Sequence, residues 1–128
     1  MTQLHLGLSL STKRTRKREF LDEMRQVVPW SRLIALIEPY PKGKTGRPPF
    51  PLATKLQIHF MQQWFGLSEP AMEEALYDVP LHREFAGLDG GMTRLPDETT
   101  ILRFRHLLDA HGIAAQMLRR SWRWSMKY

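Results

Sequence analysis

The chain has 128 residues, 42% of them hydrophobic, no cysteine and a formal net charge of +6. That is room for one domain with a real core, and it excludes wholesale disorder, disulfides and thiolate metal sites. No apolar run reaches the length of a membrane span, and the positive charge points to a polyanionic partner, either nucleic acid or an anionic membrane surface.

The start, MTQLHLGLSL, lacks the positive region and small-residue cleavage site of a secretion signal. Together with the missing cysteine this fits a reducing cytoplasm. Leu4, Leu6, Leu8 and Leu10 alternate with His5, Gly7 and Ser9. Period two predicts one half-buried strand, which needs a partner strand that nothing else in the chain clearly supplies. Lys13, Arg14, Arg16, Lys17 and Arg18 follow, interrupted only by Thr15. Cations at a helix start oppose its dipole, so the cluster reads either as a phosphate-facing arm or as a solvated helix start. The domain reading is therefore a strand and basic arm over 1–18 and a helical domain over 19–128.

A helix follows the cluster, with Phe20, Met24, Val27 and Val28 as its core stripe and Pro29 as its stop. Ser31 is the expected N-cap of a second helix reaching about Glu38, largely buried through Leu33, Ile34, Leu36 and Ile37. Residues 39–51, PYPKGKTGRPPFP, must be a loop, since each proline lacks an amide donor and restricts the residue before it. Gly46-Arg47-Pro48 partly resembles short motifs that push an arginine into an A·T-rich minor groove, with Thr45 where a second arginine would stand. The competing reading is a stiff connection anchored by Phe50.

Leu52 to Phe65 is the expected central helix, with Leu56, Ile58, Phe60, Met61, Trp64 and Phe65 round most of its circumference. Lys55, His59 and Gln62 form its polar stripe. Gly66 ends it, and Ser68 caps the next helix, which runs to about Asp78 and places Met72, Ala75, Leu76 and Val79 inward. Glu69, Glu73 and Glu74 are read as an outward acidic face, either solvated or meeting a basic partner. Leu81 to Ala86 forms a short helix packing Leu81 and Phe85, and Gly87 to Arg94 a flexible turn.

The stretch Pro96–His111 carries the clearest signals. Asp97 is the N-cap, Glu98 sits by the positive end of the dipole, and Gly112 stands just past the end. At about 100° per residue, Thr100, Ile101, Phe104, Leu107, Leu108 and His111 share one broad face. Thr99, Arg103, His106 and Ala110 line the opposite side, and Arg105 is placed to pair with Asp109. A short capped helix of this kind suits the second helix of a helix-turn-helix unit, and the competing reading, which this stretch alone slightly favours, is an ordinary surface helix with solvated charges. Ile113 to Met126 reads as a last helix, wide in apolar surface, with Arg119, Arg120 and Arg123 on one side.

Catalytic groups do not converge. His106 and His111 are spaced poorly for one helix face, and the chain has no HExxH, no glycine-rich phosphate loop and no GxSxG. The glutamates with His82 are read as a solvated face rather than a cation cluster.

Three stretches together, VVPWSRLIALIEPYPK, GRPPFPLATKLQIHFMQQWFGLSEPAMEEALYDVPLHREFAGL and LPDETTILRFRHLLDAHG, point to one family. From about Lys13 to Trp124 the chain resembles the N-terminal region of bacterial InsH-like transposases, the insertion-sequence-five family of DDE transposases. The resemblance implies an all-α DNA-binding and assembly domain. In full-length members it precedes an RNase H-like domain whose three acidic residues hold divalent ions, magnesium or manganese, for strand cleavage and transfer. The family's first catalytic aspartate follows the helix matching Ile113–Trp124, whereas this chain ends at Tyr128 on a Ser-Met-Lys-Tyr that leaves the pattern. None of the three acids can be assigned, so the chain alone is expected to need no cofactor and not to be an enzyme.

The expectation is thus a compact all-α bundle of about six helices with a helix-turn-helix-like unit and a short N-terminal strand. Its expected role is to bind the terminal inverted repeats of a mobile element, in the bacterial cytoplasm at the nucleoid. Lys13, Arg14, Arg16, Lys17, Arg18, Arg47, Arg103 and Arg105 would contact phosphate, and Thr99, Arg103 and His106 base edges. Double-stranded DNA is the expected partner, with neither a membrane nor a small-molecule substrate. The alternative is a module that dimerises the transposase and has only non-specific DNA affinity.

Overall fold

Thr15, the residue that interrupts the basic cluster, starts the first helix. In a computed structural model, which describes residues 13–40, 50–88 and 94–117, its hydroxyl accepts from the Arg18 N–H at 3.2 Å. Helix α1 then runs Arg16–Val27. Arg16, Lys17 and Arg18 therefore form a first turn instead of an arm ahead of it, and Glu19 in that turn partly offsets their unfavourable placement. The predicted strand over 4–10, the Arg47 motif and the end of the last helix lie outside the described residues.

Helix α2, Trp30–Ile37, is capped two residues before the expected Ser31, at Pro29, with no side-chain cap bond. Ser31 is thus inside the helix. The reason lies at Trp30, whose indole N–H donates back to the Arg25 carbonyl at 3.1 Å and draws the residue into the turn. Helix α3, Leu52–Phe65, stops at Gly66, whose φ of +63° is open to glycine at little cost. Ser68 caps α4, Glu69–Asp78, by accepting from Ala71 N–H at 3.3 Å. Pro80, harmless at a first helical position, opens the short α5, Pro80–Phe85. Asp97 caps α6, Glu98–Ala110, by accepting from Thr100 N–H at 2.9 Å. Gly112 follows at φ +64°, and residues 113–117 contain one more helical turn.

Every regular element among the described residues is a helix, and they form a compact bundle around α3. On one side, Leu56 and Phe60 meet Met24 and Val28 of the α1 end, Leu33 and Ile37 of α2, and Phe104 and Leu108 of α6. On the other, Ile58 and Met61 meet Leu21, Met72 and Leu76 of α4, Phe85 of α5 and Ile101 of α6. Leu56 and Met61 are fully enclosed, while Trp64 and Phe65 are half-buried. The expected polar stripe is not solvated: His59 and Gln62 are buried because α4 and α6 both pack on α3. α6 also lies along α4, so the helix is held from behind by two others.

Candidate nucleic-acid interface

That support fixes which way α6 faces. Ile101, Phe104 and Leu108 are buried, and Thr99, Arg103, His106 and Ala110 are exposed in one stripe, as the periodicity requires. Arg103 and His106 make no ion pair or hydrogen bond with any described residue. His111, expected on the apolar face, is exposed, with its ring stacked on Tyr40 at 3.9 Å between centroids.

The basic cluster divides into two sets. Lys17 donates to His82 Nε2 at 3.2 Å and lies 4.7 Å over the Phe65 ring. Arg18 grips Glu84 with two hydrogen bonds, at 3.0 and 3.1 Å. This bond raises the arginine's pKa and lowers that of Glu84 below the usual carboxylate range. Two helical turns on, Arg25 donates to the Phe85 carbonyl at 3.0 Å and covers that ring. α1 thus spends these cations clamping α5. Arg14 pairs with Asp22 at 2.7 Å in full view of solvent, a contact of small energetic weight. Lys13 and Arg16 are exposed with no side-chain partner among the described residues.

Arg105 departs from its expected i,i+4 pairing with Asp109. Its guanidinium meets Glu69 of α4 at 2.7 Å, with Glu69 only 17% exposed. Gln62 donates its amide to the same carboxylate oxygen. Glu73 accepts from the Glu98 backbone N–H at 2.7 Å. The face read as outward and acidic is therefore turned largely against α6, and only Glu74 of the three stays exposed.

Two histidines are buried. His59 lies edge-on to Phe60 and Phe104, and burial pushes its pKa to about 4. His82 stacks on Phe65 at 5.5 Å; burial and then the Lys17 ammonium push its pKa to about 4. With Nε2 accepting from Lys17, the neutral ring carries its proton on Nδ1, which is buried with no partner. The burial of His82 departs from the solvated face expected of it. The signal was its spacing of three from Phe85 and four from Ala86, which puts all three on one face of the short helix.

A hollow between α3 and the start of α6, lined by Lys55, His59, Thr100 and Phe104 among others, has a volume of about 10 Å³. Small-molecule sites are ~300 Å³ or larger. Among the described residues no group of three or more His, Asp or Glu side chains is placed to hold a metal ion, and no helix is long and apolar enough to cross a membrane.

The architecture is that of an all-α domain with one supported, outward-facing helix carrying unpaired polar and cationic side chains. The model of the family described as Transposase domain (DUF772) matches residues 8–107, and the chain belongs to that family. No solved structure matches the chain.

Proposed function

We propose that the chain is the DNA-binding N-terminal domain of an insertion-sequence transposase of the InsH-like type it resembles, and that it engages the element's terminal inverted repeats. The observation that carries this reading is the α6 stripe. Thr99, Arg103 and His106 are exposed together, and Arg103 has no described partner. α6 would act as the reading helix of a helix-turn-helix-like unit, with α4 as its support. A free guanidinium suits the paired acceptors of guanine in the major groove, and Lys13, Arg14 and Arg16 suit phosphates on the flank. Strand cleavage, with magnesium or manganese, would belong to the catalytic domain of a full transposase; this chain alone binds without cutting.

The reading is tested by competing duplexes carrying the inverted repeats that flank the gene against scrambled duplexes. Arg103→Ala should lose discrimination by about 1–3 kcal/mol at one base position. Lys13→Ala should weaken both duplexes alike. Full discrimination in Arg103→Ala would remove α6 as the reader.

A further inference from the structure

Arg105 looks on sequence like one more phosphate contact, but its surroundings assign it differently. At about 100° per residue, Arg105 lies about 200° round α6 from Arg103, and Glu98 lies on nearly the same far side. Both of these positions are taken by α4. The Arg105 guanidinium meets Glu69 at 2.7 Å, and the Glu98 N–H meets Glu73 at 2.7 Å. Glu69 and Glu73 are four residues apart, so they project from one face of α4. Gln62 of α3 donates to the Glu69 oxygen that Arg105 also uses. Three helices therefore converge on one largely enclosed carboxylate.

We infer that Glu69, Arg105 and Gln62 are positioning residues, which set the rotation of α6 and so aim Thr99, Arg103 and His106 outward. The apolar contacts of Ile101, Phe104 and Leu108 hold α6 in place, but such contacts are non-directional and tolerate small rotations. A charge-assisted hydrogen bond to a shared carboxylate does not. The inference rests on the DNA-binding reading, and it gives Arg105 a role opposite to that of Lys13: Arg105 acts through Glu69 and touches no phosphate.

The test uses the full chain, the same repeat-bearing and scrambled duplexes, and a salt titration for each variant, with circular dichroism to check folding. Arg105→Ala and Glu69→Ala should each lower the repeat-over-scrambled ratio by a similar factor, on the order of tenfold. The double variant should be no worse than either single, and the salt slope should stay that of the wild type. The charge-reversed pair, Glu69→Arg with Arg105→Glu, should regain much of the ratio, because Gln62 can turn its amide oxygen to the new guanidinium. It also remains informative if Glu69→Ala fails to fold. If Arg105→Ala lowers the salt slope by about one while Glu69→Ala leaves the ratio untouched, Arg105 is a phosphate contact and the inference is overturned. A charge-reversed pair that folds but does not recover the ratio overturns it too. A wild type that does not distinguish the duplexes overturns the DNA reading itself, which separates that failure from failure of the positioning triad.

Discussion

Phe104→Ala should cost about 3–5 kcal/mol, a large part of the 5–15 kcal/mol that holds a typical domain together. Phe104 is 5% exposed and sits where α6 meets α3, in one cluster with Leu56, Phe60, Leu108 and Ile113. Its ring also stands edge-on to His59 at 6.2 Å. Truncation would remove the ring's transfer energy and leave a hole that two packed helices cannot easily close. Urea denaturation followed by circular dichroism should show a much lower midpoint with the slope kept. Trp64→Ala removes a larger side chain from the same helix bundle, but Trp64 is half-buried, so its cost should be smaller. If the order is reversed, the core is centred away from the α3–α6 contact.

Acid should destabilise the domain well above the range in which its carboxylates titrate. His59 and His82 have folded pKa values lowered from 6.5 to about 4 by burial. Well above pH 6.5 both rings are neutral in the folded and unfolded chain, and neither contributes a pH dependence. As pH falls below 6.5 the unfolded chain takes up protons that the folded chain refuses until about 4, so stability drops across that window. Each pKa unit is about 1.4 kcal/mol, so the pair should cost several kcal/mol at the acid end. Melting temperatures recorded from pH 7.5 downward should fall steadily through this interval. His59→Gln and His82→Gln, which do not titrate there, should each flatten the profile. A wild-type profile flat to pH 5 would mean that both rings reach solvent.

The legible parts of this protein are those written in local chemistry. α6 is the clearest case: a capping aspartate, an apolar repeat at helical period and a glycine past the end predict its limits and its exposed stripe. Gly66 and Ser68 mark the α3–α4 junction for the same reason. What was not legible depends on which helices meet. Nothing near Glu69 or Glu73 in the chain says that α6 will lie against them, so acids that read as solvated are in fact ties. The same holds for Arg18 and Arg105, each of which finds its partner on another helix. Ser31 shows a milder version, in which good capping chemistry is displaced by the Trp30 contact one residue earlier.

The proposed role requires the chain to grip double-stranded DNA. Its most direct test is the affinity of the wild-type chain for a repeat-bearing duplex across a salt series. If about three phosphates are neutralised, by Lys13, Arg14 and Arg16, log K should fall against log salt with a slope near −3. An affinity that stays flat from low to physiological salt would contradict DNA binding, because Lys13, Arg14 and Arg16 would then have no phosphate to meet.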